Sequence, residues 1–136
     1  MGSILVVETD PETRGLWEAA LRADGHDVQL STSAREAVGL IRDGGIDVVV
    51  IDSYDPRVGV VDFARNLEQL PDSPPIVLVS SSPHAPEISV RIGAAELVLK
   101  PCDPAEVSAI ATRLIASQRP VKFVDDEPTG PNRIAQ

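Results

Sequence analysis

Four polar residues, each following a short apolar run, could act together on a phosphoryl group. Glu8 follows residues 4–7, Asp52 follows residues 48–51, Ser80 follows residues 76–79 and Lys100 follows residues 97–99. If these runs are parallel strands, their carboxyl ends meet at one edge of a sheet and the four side chains share a shallow pocket. A carboxylate there could attack a phosphoryl group and form an acyl phosphate. A hard divalent cation would balance the negative charges, while Ser80 and Lys100 would offer a hydroxyl and a positive charge.

The elements that would position these residues are predicted from five apolar runs rich in Val and Ile, the fifth being residues 28–30. Most of the runs are continuous rather than alternating, which is typical of parallel strands buried on both faces. Segments with helical spacing lie between them. The order is therefore βα repeated five times, which predicts an α/β fold with a doubly wound five-stranded parallel sheet.

Helix starts are marked by acids, prolines and hydroxyls. Asp10-Pro11 opens the first helix, Ser33 with Glu36 forms a capping box for the second, and Asp103-Pro104 opens the last. The third helix is predicted over about residues 60–70, and the fourth is predicted to be short, over residues 87–92. An apolar stripe marks the last helix, formed by Val107, Ile110, Ala111, Leu114 and Ile115.

Length and composition predict one domain with a real core. The chain has 136 residues, 43% of them hydrophobic, and no apolar run approaches the roughly 20 residues of a membrane helix. A single cysteine, Cys102, suits a reducing cytoplasm, and a formal charge of −9 argues against a nucleic-acid surface. The domain is predicted over residues 1–117, with residues 118–136 as a tail or linker in which Val121, Phe123 and Val124 could dock locally.

These motifs, in this order, resemble the receiver domain of bacterial response regulators, the chemotaxis-regulator-like phosphoacceptor domain of two-component signalling. The resemblance rests on Ile4-Leu5-Val6-Val7-Glu8-Thr9-Asp10-Pro11, on Asp47-Val48-Val49-Val50-Ile51-Asp52 with Pro56, on Pro75-Ile76-Val77-Leu78-Val79-Ser80, and on Gly93-Ala94 through Leu99-Lys100-Pro101. It implies a flavodoxin-like (βα)5 architecture with strand order 2-1-3-4-5.

The resemblance also implies roles for particular residues. Asp52 would be the phosphoacceptor, Ser80 the switch hydroxyl and Lys100 the phosphoryl contact, with a cis peptide bond before Pro101. Mg²⁺ would be held by Glu8, Asp52 and the backbone carbonyl of Tyr54. A histidine kinase or phosphotransfer protein would be the donor, and about residues 84–117 would contact a downstream protein. The chain would be a monomer or weak homodimer, and not an enzyme beyond self-phosphorylation and self-dephosphorylation.

Departures from the family pattern leave a second interpretation open. Thr9 stands where a second acid is usual, which predicts weak Mg²⁺ binding because a hard cation prefers anionic oxygens. Leu97 stands at the aromatic switch position, and a leucine cannot copy a moving aromatic ring. The chain could therefore be a pseudo-receiver, a constitutive interaction module that works without phosphorylation. A flavodoxin-like cofactor binder is disfavoured, because Glu8, Asp10 and Glu12 would repel an anionic phosphate.

Four other residues have simpler expected roles. Trp17 is expected to be partly buried on the first helix rather than a binding anchor, and Cys102 to be a small apolar filler. His26 and His84 have no partners at metal-ligand spacing and are expected on surface loops.

Overall fold

The Val- and Ile-rich runs form one parallel sheet in the computed structural model, which describes residues 2–52, 59–70 and 72–118. The elements, in chain order, are β1 (Ser3–Val7), α1 (Pro11–Ala23), β2 (Asp27–Ser31), α2 (Ala34–Arg42), β3 (Val48–Asp52), α3 (Val60–Glu68), β4 (Ile76–Ser80), α4 (Ala85–Ile92), β5 (Glu96–Leu99) and α5 (Pro104–Gln118). The strand order is β2-β1-β3-β4-β5. Both the (βα)5 arrangement and the strand order 2-1-3-4-5 predicted for this chain are confirmed.

The strand register brings the carboxyl ends of the central strands to the same level. Val7 of β1 is paired with Ile51 of β3, and Asp52 is paired with Val79 of β4. The residues at the carboxyl ends of β1, β3, β4 and β5 therefore lie along one edge of the sheet. Ligands bind at this edge in open α/β folds.

Successive strand residues face opposite sides of the sheet and build two separate cores. Leu5, Val49 and Leu78 pack under α2, α3 and α4, with Phe63 of α3 fully buried among them. Ile4, Val50 and Val77 face the other side. That second core is closed by α1 and α5, through Trp17, Leu21, Val107, Ala111 and Ile115. Each fully buried aliphatic or aromatic side chain contributes roughly 1.5–3 kcal/mol to folding.

Short-range signals determine where the helices begin. The Asp10 carboxylate accepts the Thr13 N–H at 3.0 Å, and the Ser33 hydroxyl accepts the Glu36 N–H at 3.1 Å, so two predicted caps are confirmed. Helix α4 begins at Ala85, two residues earlier than predicted. Pro86 lies in its first turn, where a missing N–H leaves no intrahelical bond unmade.

His26 corrects a prediction, because its side chain is buried rather than on the surface. Thr112 Oγ1 donates to the Ser108 carbonyl, so the His26 Nε2–H, 2.8 Å from Thr112 Oγ1, must be the donor of that bond. The other ring nitrogen, Nδ1, accepts the Gly2 N–H at 3.1 Å. Burial lowers the pKa of His26. The neutral ring thus joins the start of β1 to α5, whereas His84 is exposed as predicted.

Across the described ranges, no helix is long and apolar enough to cross a membrane.

Candidate functional site

Glu8, Asp52 and Lys100 meet at the carboxyl edge of the sheet. Glu8 follows β1 and Asp52 ends β3, and both carboxylates are buried, with 1% and 5% of the residue exposed. The Lys100 ammonium lies 3.0 Å from Asp52 Oδ2 and 3.5 Å from Glu8 Oε1. The sequence placed these three residues at a common edge, and the structure brings their charged groups into contact.

Two elements, β2 and α1, hold the backbone of Glu8 in place, and the loop between β1 and α1 binds its side chain. Its N–H donates to the Ser31 carbonyl at 3.1 Å, and its own carbonyl accepts from Arg14 Nη1 at 3.2 Å. Its Oε2 accepts the Asp10 N–H at 3.1 Å. The other oxygen, Oε1, accepts no hydrogen bond within the described ranges and is left with the longer ion pair to Lys100. Burial, helped by the neighbouring Asp52 charge, raises the pKa of Glu8, while the Asp10 N–H opposes that rise.

Lys100 is fixed by backbone and ring contacts as well as by charge. Its N–H donates to the Ser80 carbonyl at 2.9 Å, and the Lys100–Pro101 peptide bond is cis. Its ammonium lies 5.4 Å from the centre of the Trp17 ring, which is within cation–π range. Burial alone would lower the pKa of Lys100, but the hydrogen bond and charge of Asp52, together with Glu8, raise it. The ammonium therefore stays charged at neutral pH.

The remaining predicted site residues that the structure describes lie on or next to strands β1, β4 and β5. Ser80 ends β4 and is fully buried, and its hydroxyl accepts the Ser82 N–H at 3.0 Å. Thr9, next to Glu8, is half-buried. Leu97 is half-buried in β5 and packs against the core under α2, α3 and α4. The predicted carbonyl ligand on Tyr54 lies outside the described residues.

The charges of the site decide how well it suits a divalent cation. Two buried carboxylates face one ammonium, so the described part of the site carries a net negative charge. Carboxylate oxygens are the ligands that Mg²⁺ prefers, and Glu8 Oε1 is a buried oxygen without a hydrogen bond. In the described ranges, however, no three acids, histidines or cysteines cluster at a common point. Thr9 offers a neutral oxygen where a third carboxylate would strengthen the site. The described residues fit Mg²⁺ in kind, and among them Glu8 and Asp52 supply the carboxylates.

Sequence reasoning missed two contacts of the site. Trp17 is buried, 2% exposed, rather than partly buried, and its ring contacts the Lys100 ammonium. Arg14 binds the Glu8 carbonyl from the first turns of α1. Neither contact has a local signal, because each depends on how α1 packs against the ends of β1 and β5. Only the helical phase of Trp17 with Leu21 indicates which face of α1 is buried.

A pocket of about 360 Å³ opens beside Lys100. Leu16, which is half exposed, Trp17, Pro101, Pro104 and the half-buried Cys102 give it an apolar wall. Burial raises the pKa of the Cys102 thiol, consistent with the apolar filler predicted at that position.

Comparison with known proteins agrees with this geometry. A relative, the response regulator MprA of Mycolicibacterium vanbaalenii, is 29% identical over 119 residues, which are 86% of this chain and 52% of the relative. The chain thus spans about half the length of that relative.

Two solved structures share the fold. The receiver domain of a signal transduction histidine kinase from Syntrophus aciditrophicus has a TM-score of 0.78 and 25% identity, with 90% of this chain and 96% of that one covered. The receiver domain of a sensor histidine kinase from Pseudomonas aeruginosa, with magnesium coordinated in its active-site cleft, has a TM-score of 0.77 and 24% identity, covering 85% and 98%. The model of the response regulator receiver domain matches residues 4–112. This chain therefore belongs to the response regulator receiver domain family.

Proposed function

We propose that Asp52 accepts a phosphoryl group from a phosphohistidine on a histidine kinase or phosphotransfer protein. Receiver domains are signalling modules of two-component systems and interact with proteins of these two kinds. The observation that carries the proposal is the contact of the Asp52 carboxylate with Lys100 at 3.0 Å, at the carboxyl edge of the sheet. An ion pair with only a structural role could lie anywhere in the core. This pair lies at the edge of the sheet where ligands bind in open α/β folds.

The chemistry follows from the positions of the side chains. An Asp52 carboxylate oxygen attacks the phosphorus of the phosphohistidine, and an O–P bond forms as the N–P bond breaks. The electron pair of the broken bond leaves with the imidazole of the donor. Lys100 then offers its positive charge to the new phosphoryl oxygens, and the Ser80 hydroxyl is the nearby donor on β4.

Mg²⁺ would be held by Glu8 and Asp52, with Thr9 as a neutral neighbour and the Tyr54 carbonyl as the further ligand proposed. The bound cation would neutralise charge on the transferring phosphoryl group. Glu8 would bind the cation through Oε1, because Oε2 is already bound to the Asp10 N–H and, in the described part of the chain, Oε1 has only the longer ion pair to Lys100. Weak Mg²⁺ affinity is expected, since the site lacks an acid at position 9.

The test is phosphorylation of the chain by a small phosphodonor, such as acetyl phosphate or phosphoramidate, at high Mg²⁺. Intact mass should increase by one phosphoryl group, and hydroxylamine should remove it, as it does an acyl phosphate. Asp52→Asn is the matched control and should stay unmodified. Trp17, the single tryptophan, lies against Lys100 and should report beryllofluoride binding through its fluorescence. An unmodified wild-type chain with an unchanged Trp17 signal would refute the proposal.

A second candidate is a pseudo-receiver that binds its partner without phosphorylation. Thr9 beside Glu8 favours it, since one metal-binding carboxylate is missing. Leu97 also favours it, because a leucine packed on the core cannot report the state of the site as a moving ring would. This candidate predicts equal partner binding by the wild-type chain and Asp52→Asn.

The wider setting of the site is also proposed. Residues 1–117 would form the receiver domain and residues 118–136 a tail or linker. The chain would work in the cytoplasm as a monomer or weak homodimer and pass its signal to a protein through about residues 84–117. Val90 and Leu99 support that output surface, because both are exposed apolar side chains in this region, 82% and 57% exposed. The negative net charge favours a protein partner over nucleic acid.

A further inference from the structure

A groove runs along the edge of the sheet opposite the phosphoacceptor site. Its first part, about 500 Å³, lies between the end of α2, the α2–β3 loop and the segment after α3. Ile41, Ile46 and Leu70 give it an apolar floor. Gly44 and Gly45, with φ near +90°, place no side chain over it. Backbone of another segment could therefore approach closely here.

The groove continues along the outer face of α2. Its second part, about 340 Å³, is lined by Arg35, Val38, Gly39 and Arg42 of α2 and by Asn66 of α3, and Arg42 borders both parts. Both arginines are exposed, and within the described ranges neither makes an ion pair or hydrogen bond. The groove thus changes from apolar to cationic along its length.

The C-terminal end of α5 lies at the mouth of this groove. The Gln118 side chain donates to the carbonyl of Asp47, and Asp47 lines the first part of the groove. Eighteen residues follow Gln118 in the sequence. An extended chain spans about 3.4 Å per residue, so Val121 can lie about 10 Å and Glu127 about 30 Å from Gln118. The two arginines are two helical turns apart, about 10 Å, which is within that reach.

We propose that residues 121–127 of the chain's own C-terminal tail dock in this groove, with Phe123 and Val124 over the apolar floor and the acidic Asp125-Asp126-Glu127 run against Arg42 and Arg35. The order of charges in the tail matches the order in the groove. Lys122 comes first and meets Asp47 and Asp72 near the mouth. The three acids come after the apolar pair and reach the arginines, so opposite charges face each other at both ends.

Limited trypsin digestion of the full chain tests this docking. The Lys122–Phe123 bond lies inside the docked segment, and the Arg133–Ile134 bond lies beyond it and is an internal control. The Arg119–Pro120 bond resists trypsin because proline follows the basic residue. Cleavage of a docked segment follows the population of the open state, so Lys122 should be cut about tenfold more slowly than Arg133.

Two variants and one control locate the interaction. The double variant Arg35→Glu/Arg42→Glu should speed cleavage at Lys122 about threefold, as expected for two exposed charge pairs. Phe123→Ser should speed it as well and should shift the amide NMR signals of Gly44 and Gly45. Arg91→Glu, which changes an exposed arginine on α4 outside the groove, should leave the rate unchanged.

Three results would overturn the proposal. Equal cleavage at Lys122 and Arg133 in the wild-type chain would mean that the tail is free. Protection of Lys122 that is lost on tenfold dilution would mean that the tail occupies a second copy of the chain. Protection that the arginine and phenylalanine variants leave intact, without shifts at Gly44 and Gly45, would place the tail elsewhere.

Discussion

Replacing Lys100 with methionine tests the balance of charges at the proposed phosphoacceptor site. The ammonium contacts two buried carboxylates, at 3.0 Å on Asp52 and 3.5 Å on Glu8, so the two acids lie within about 7 Å of each other. At an effective dielectric constant of about 20, each of these contacts corresponds to about 5 kcal/mol of Coulomb attraction. Much of this lost attraction is offset in the variant, because methionine, unlike the ammonium, does not have to be desolvated on folding.

The net loss in the free energy of unfolding at pH 7 should be about 3 kcal/mol, as for a buried ion pair that loses one partner. The lost contact with Trp17 adds under about 1 kcal/mol. The loss should shrink towards pH 5, because the pKa of Glu8 is already raised by burial and its protonation as pH falls removes one of the two buried negative charges. The loss in the free energy of unfolding caused by Lys100→Met should also fall by at least half in an Asp52→Asn background, because one of the two repelling charges is then absent.

Urea unfolding followed by circular dichroism, in buffer with chelator, measures these differences. Arg113→Met is the matched control. It removes a basic residue that is 3.1 Å from Glu96, but the Arg113 side chain is 62% exposed and the Glu96 side chain 36%, so its cost should stay under about 1 kcal/mol. A Lys100→Met loss as small as that of the control, or one that is equal at pH 5 and pH 7, would refute the charge balance described for the site.

Three other substitutions follow from the same structure. The pKa of Glu8 is raised in the folded state, so the wild-type chain loses stability as pH rises from 4.5 through that raised value. Glu8→Gln should abolish this loss and raise stability at pH 7 by about 1 kcal/mol in metal-free urea unfolding, and an equally steep pH dependence would contradict it. The pKa of His26 is lowered, so its stabilising contribution is complete above pH 6.5 and is lost as pH falls through the folded value. His26→Gln should remove that acid-side loss and cost about 1–2 kcal/mol at pH 7 by weakening the bonds to Gly2 and Thr112, measured in the same way. Thr9→Asp should raise Mg²⁺ affinity about tenfold in a Trp17 fluorescence titration, whereas Thr9→Ala should not; equal affinities would mean that position 9 does not touch the metal.

The sheet and its order could be predicted because the signals are local and redundant. Continuous apolar runs at residues 48–51 and 76–79 are typical of strands covered on both faces, and β3 and β4 are fully buried as expected. The apolar run at residues 28–30 is one of the two shortest, and the edge strand β2 that contains it has three exposed residues. The positions of Glu8, Asp52 and Lys100 at strand ends then predicted that they lie together, without any information on long-range contacts.

What could not be predicted depends on contacts between distant parts of the chain. The burial of His26 requires Gly2 and Thr112, and Thr112 is 86 residues away in sequence. The contact between Trp17 and Lys100 joins α1 to the end of β5. The type of a residue does not predict which distant residue it contacts, because that contact depends on how two helices and a sheet pack together.

The way in which α5 closes the second core has a consequence for synthesis of the chain. Val107, Ala111 and Ile115 cover Ile4 and Val48, which belong to β1 and β3. While the ribosome still holds α5 in its exit tunnel, α1 alone covers this face of the sheet, and the apolar side chains that α5 buries stay exposed. We therefore expect a chain truncated before α5 to expose these side chains and to be a substrate for chaperones or proteases.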